Sequence, residues 1–314
     1  MQIKRIPFSP ERQTHFLQYS KGIMLILSMV VLSLMVGNRE VILPELAALS
    51  IGTLVYMKAE WRSKPWDLFK LPTLTAMIGF LVNQFDIPMV IKLVLVFLGM
   101  MIVLAAAKNF LAPALATGLL PVITNCSSWE FLVAIVVFTF ILAFCIHVRR
   151  HRVILPPRAE EEEVKKLDFI LYLTIVIGWF AICYYTGRME MAAIPPVIVV
   201  ALESIGSKQL SARIWTKQVV VLTLSALIGA TVITYFTSHI VLGAVLSILG
   251  VSLLTALFKF KLPPAFAMGI LPLVLPPQEP LLFTGNVLLM ALSILGSVYL
   301  IKHIQFREKE TADR

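Results

Sequence analysis

The chain has 314 residues, 59% of them hydrophobic and only 14% charged, with a mean hydropathy of +0.88. Soluble domains carry about 25% charged residues, so this chain cannot dress a globular surface in water. Its net charge of +9 does not point to nucleic acid, because membrane proteins gather Lys and Arg on one side of the bilayer and acquire the same sign.

Taken in order, apolar runs bounded by charges, Pro or Gly predict six segments in the first half, near 21–37, 41–57, 71–85, 88–106, 110–123 and 128–147. Lys4, Arg5, Arg12 and Lys21 precede the first run, which ends at Asn38-Arg39-Glu40 without a small-x-small cleavage pattern. It is read as an uncleaved first span. Six more segments follow near 168–186, 191–206, 218–236, 239–258, 262–275 and 281–301. Between the halves lies a water-loving stretch containing Pro156-Pro157 and the charge run from Glu160 to Lys166.

Charge tests this list, because loops must alternate sides if every segment crosses. With the N-terminus placed in the cytoplasm, 24 of the 27 Lys and Arg fall in inside loops, as the positive-inside rule requires. The expected architecture is an all-α polytopic transmembrane helical bundle with both termini inside. Its parts are an N-terminal segment (1–20), a first membrane repeat (21–147), a charged linker (148–167), a second repeat (168–302) and a tail (303–314). Four segments (41–57, 110–123, 191–206 and 262–275) carry prolines and fall short of the roughly 20 residues that a crossing needs. They are expected to be tilted, broken or re-entrant.

The halves resemble each other. Leu111–Pro121 and Leu262–Pro272 agree at seven of eleven positions, at an offset of 151. That offset also pairs Pro44 with Pro195, Gly99 with Gly250, and Lys108 with Lys259. At an offset of 150, the stretch from Thr73 to Gly79 pairs with that from Thr223 to Gly229. Six segments per half is an even number, so the copies should have the same orientation. Parallel repeats enclosing a central path are a plan used by transporters.

The same two blocks resemble the signature of the HPP integral membrane proteins, roughly His-Pro-Pro-Ala-Gly-Ala-Thr-Ala-Leu-Leu-Pro. Pro195-Pro196 and the run Ser225-Ala226-Leu227-Ile228-Gly229 match further family features, so the likeness covers about 41–123 and 192–276. The family's His is Leu111 and Leu262 here, its first Pro is Ala112 in the first copy, and its Thr survives only as Thr117. The resemblance implies a small anion such as nitrite as solute.

The chain has no Gly-x-x-x-x-Gly-Lys-Ser/Thr loop and no His-Glu-x-x-His pattern, so neither ATP hydrolysis nor metalloenzyme chemistry is expected. The isolated cysteines Cys126, Cys145 and Cys183 argue against a disulfide framework or a zinc site. No enzyme activity and no cofactor is expected. Partners are the lipid bilayer and a small-molecule or anionic solute, with no nucleic acid; a homo-oligomer is left open.

Ionisable groups at bilayer depth are costly and mark function by default. Glu45 is either an interfacial helix-start residue or a proton or cation site, and its counterpart is Pro196. Lys92 either snorkels outward or attracts an anion. Glu203, and Glu130 beside Trp129, read as interfacial. Pro113 and Gly118, with Pro263, Pro264 and Gly269, either bring helices close together or leave exposed helix ends able to bind an anion. Thr117, Asn109, Thr73, Thr75, Thr223 and Ser225 could supply ligands nearby. The expected function is a secondary transporter or channel. The alternatives are a membrane scaffold, with a dry repeat interface, or an exporter of amphiphiles, with a laterally open apolar cleft.

Overall fold

The computed structural model of the chain describes residues 10–150, 166–207, 210–236, 239–275 and 279–312. The described residues are helical apart from short connections, with no strand among them. Among the described residues seven helices are long and apolar enough to cross a membrane, which makes the chain a multi-pass integral membrane protein. The charged linker lies mostly outside the described residues.

The first half begins with α1 (Pro10–Val36), and α2 (Pro44–Ser50) continues through a π-helical turn at Ile51–Val55. After α2 come α3 (Ala59–Ser63), α4 (Asp67–Asn83), α5 (Met89–Ala106), α6 (Pro113–Ile123) and α7 (Trp129–Arg150). In the second half the order is α8 (Lys166–Tyr185), α9 (Pro195–Ile205), α10 (Ala212–Tyr235), α11 (Ile240–Leu257), α12 (Pro263–Ile270) and α13 (Pro280–Ala312). A 3-10 turn at Leu271–Leu273 extends α12. Each half therefore runs long, short, long, long, short, long. α3 is a small addition, and α1 and α13 reach further into the polar ends than the apolar runs do.

Equivalent turns have equivalent backbones. Gly37 and Gly187 both adopt positive φ, 73° and 68°, just after α1 and α8. The next amides, Asn38 and Arg188, donate back to the Ser33 and Cys183 carbonyls. Lys108 and Lys259 do the same after α5 and α11, with φ of 48° and 47°, while Asn109 and Phe260 donate to Leu104 and Thr255. These are left-handed helix terminations, where glycine is the easy choice; two lysines accept the strain at matching places.

Polar contacts order the helix ends into two faces. At the near face, where α1 begins and α13 ends, Asn109 Nδ2 donates to Asp67 (2.6 Å), Trp66 meets His147 at a tilt, Lys217 Nζ reaches the Phe258 carbonyl and Lys302 pairs with Asp168. At the far face, Asn83 Nδ2 donates to the Cys126 carbonyl, Ser128 bonds Glu40 and Asn38, and Arg188 reaches Asn286. Tracing the chain between these contacts takes each of the twelve segments from one of these faces to the other, the short ones included. α2 and α9 start from the far side, α6 and α12 from the near side. Eleven helical residues rise only about 17 Å, so non-helical residues at the ends of α6 and α9 complete the passage.

The short segments form the centre. Continuous burial runs over 41–55, 111–122, 191–202 and 262–271. α2 packs against α12 and α6 against α9, so each short helix meets a short helix of the other half. Four of the long helices also meet across the halves, α1 against α11 and α5 against α8, whereas α4 with α7 and α10 with α13 pack within one half.

Candidate functional site

The Pro/Gly blocks open the short helices and then pack them. Pro113, Pro263 and Pro264 stand in the first turns of α6 and α12, where a missing N–H costs nothing, and neither helix has a side-chain cap. Gly118 faces α4: a Cβ on Gly79 would lie 1.9 Å from the Gly118 carbonyl oxygen. In the second half a Cβ on Gly229 would lie 2.4 Å from the Gly269 carbonyl. Both glycine pairs therefore let backbones touch within a half, the small-residue packing of membrane helices, rather than leaving space for a solute.

Thr117 belongs to the same contact. Its hydroxyl is fully buried, 2.7 Å from that of Thr75, and within reach of the Pro72 (3.1 Å) and Ala114 (2.8 Å) carbonyls. In the second half Ser225 takes the place of Thr75 and Met268 that of Thr117. The Ser225 hydroxyl is buried without a partner, as are the hydroxyls of Thr73, Thr223 and Ser247.

Three ionisable or amide candidates separate. Lys92 Nζ donates to the Asn83 backbone carbonyl (2.9 Å) and lies near its side-chain oxygen (3.3 Å). It thus serves the carboxyl end of α4, where a cation suits the helix dipole, and stands at the far face rather than in the centre. Asn109 holds the α5–α6 connection to the start of α4 at the near face. Only Glu45 is enclosed. It is 3% exposed, second residue of α2, and its Oε1 has no hydrogen-bond partner. The backbone just before it is pinned by Leu43 N donating to Met29 Sδ at 3.0 Å.

Glu203 has a role that its interfacial position does not announce. Lys58 Nζ meets its Oε1 at 2.8 Å, joining the halves at the near face. Lys58 also stands 4.3 Å from the Trp61 ring centre, and Trp61 lies against Gly52 in the π-helical turn. Beside this pair, Tyr56 meets Phe266 edge-on at 6.4 Å, its hydroxyl is 3.5 Å from that of Thr255, and Lys261 lies over its ring. At the far face, the polar side-chain contacts among the described residues stay within one half.

An apolar groove of about 340 Å³ lies at the far end of α1 and α7, lined by Leu32, Val36, Val41, Trp129, Val133 and Val137 among others, with Glu130 at its polar rim. Among the described residues no group of three His, Cys, Asp or Glu could hold a metal ion. No family model matches the chain, and no curated protein or solved structure matches it either, so the likeness to HPP proteins rests on the motif blocks alone.

Proposed function

We propose that this chain is a secondary transporter or channel of the cytoplasmic membrane, moving a small anionic solute between its two halves, with both termini in the cytoplasm. The observation that carries the reading is the central set of four short helices, two from each half. Helices α6, α9 and α12 begin inside the protein without side-chain caps. Their first amides, Ala114, Val197 and Ala265, donate within the opening turn to Leu111, Ile194 and Leu262, so what each buried start presents is the positive end of its dipole, as discontinuous transporter helices do. Buried, unpaired polar atoms in α2, α4 and α10 add to the same region, a costly arrangement for a protein that only anchors or scaffolds. The near face is tied by Lys58–Glu203, whereas the far face lacks such a tie among the described residues. That asymmetry suits halves that rock about a fixed centre. Anionic character also follows from the resemblance to HPP proteins.

Purified protein in liposomes, challenged with nitrite, nitrate and organic anions, tests this reading. Uptake above empty vesicles is expected for at least one of them. Equal uptake in both preparations for every anion overturns it. One observation favours a second reading: the apolar groove between α1 and α7 has the chemistry for an acyl chain, so the same liposomes should be assayed for movement of a fluorescent amphiphile.

A further inference from the structure

We propose that Glu45 is the proton-binding site of this protein and that solute movement is coupled to protons through it, an inference that rests on the transport reading above. Glu45 is the only acidic residue in the four short helices besides Glu203, and Glu203 is occupied by Lys58. Its carboxyl sits where α2 packs against α1, α6, α7 and α12. Neither α6 nor α12 contains an ionisable residue. The ionisable residues of α1 stop at Lys21, toward its other end; α7 offers Glu130 at the exposed far end and Cys145, His147 and its terminal arginines at the opposite one. In the turn before α2, Arg39 is exposed and Glu40 is taken by Ser128. Among the described residues, Glu45 therefore has no counter-ion on the elements packed against it.

An unpaired carboxylate is expensive in such surroundings, a neutral carboxyl much less so. A metal cation in place of the proton would need several oxygen ligands. The only side-chain oxygen that α6 and α12 contain is the Thr117 hydroxyl, already committed to Thr75. A proton needs one carboxyl oxygen, and Oε1 is unoccupied. Ser33 marks a route from the far face: its hydroxyl is buried and unpartnered, and it lies four residues beyond Met29, on the α1 face that touches Leu43. Because Pro196 stands at the equivalent place in α9, each chain binds one proton per cycle. The proton joins the carboxylate from one side and leaves as the same proton on the other; no other bond changes.

The site is tested apart from transport by infrared difference spectroscopy of the full chain in lipid nanodiscs across pH. The wild type should show a carboxylic-acid C=O band that fades as pH rises, and Glu45→Gln should lack it. If Glu45→Gln does not fold, Glu45→Asp must shift the band instead. Absence of any band that responds to these substitutions overturns the proposal, and so does a band lost on adding Na⁺ rather than on raising pH. Coupling is then read in liposomes holding a pH dye under a nitrate gradient: proton movement should follow nitrate in the wild type and fall about ten-fold in Glu45→Gln. Nitrate movement without protons overturns coupling while leaving transport intact. With no movement of nitrate the transport reading loses that anion, and the infrared band alone decides the site.

Discussion

Lys58 and Glu203, 145 positions apart, form an ion pair that joins the two halves of the protein at one face. Both side chains keep about a quarter of their surface in solvent, so the pair belongs with exposed bridges worth about 0.2–1 kcal/mol. Glu203→Lys should lower the thermal midpoint in detergent, because it sets two cations side by side. Lys58→Glu together with Glu203→Lys should recover most of the loss. A double variant no better than the sum of the singles would show that the pair does not hold the halves together.

The glycine contacts should be far less forgiving. Gly79→Ala and Gly229→Ala drive a methyl into a backbone carbonyl that cannot move without its helix, at an expected cost of about 2–4 kcal/mol. Gly178, with no neighbour within 4 Å, is the control: in an exposed helix interior, Ala should be neutral or stabilising by up to about 1 kcal/mol. Thermal unfolding of the three variants side by side checks the contrast.

Asp168 is buried at the start of α8, where Lys302 Nζ and Gln305 Nε2 both donate to it at 3.0 Å. With the side chains of the ion pair only 10% and 8% exposed, removal of one partner strands the other. Asp168→Asn should cost about 3 kcal/mol, within the range for broken buried pairs, and should loosen α13 from α8. Hydrogen exchange confined to the ends of those two helices would confirm the location of the damage.

The cysteines should react unequally. Burial, with the Glu40 carboxylate close by, pushes the Cys126 thiol up to about 12, so almost no reactive thiolate exists at neutral pH. A folded sample should therefore leave Cys126 unmodified by maleimide, and labelling should appear only on unfolding. Intact-protein mass spectrometry with peptide mapping reads this directly.

Much of the architecture is legible in the residues. The twelve segments follow from apolar run length and from the placement of Lys and Arg, and the shared order of the halves follows from the two Pro/Gly blocks. What escapes is whatever depends on contact between segments. Lys92 looks like a charge inside a span until the carboxyl end of α4 is seen beneath it. At Gly118 close helix packing and an anion-binding helix end stay equally open until the α4 backbone is seen against it. Lys58–Glu203 and the pairing of α2 with α12 join positions so distant that no local pattern encodes them. Helix ends are also hidden: α10 starts at Ala212 and α1 at Pro10, in polar stretches where hydropathy falls before the helix does. Glu45 is the exception, because a lone carboxyl in an apolar run already marks itself.

The central claim is that the two halves stand the same way up and share one core of short helices. Single cysteines placed by Ser63→Cys and Ser211→Cys in a cysteine-free background, with Asp86→Cys as the far-face marker, test it in sealed vesicles. Ser63 ends α3 and Ser211 caps α10, both at the near face, so an impermeant maleimide should label these two from one side of the membrane and Asp86→Cys from the other. Labelling of Ser63→Cys and Ser211→Cys from opposite sides would contradict the account.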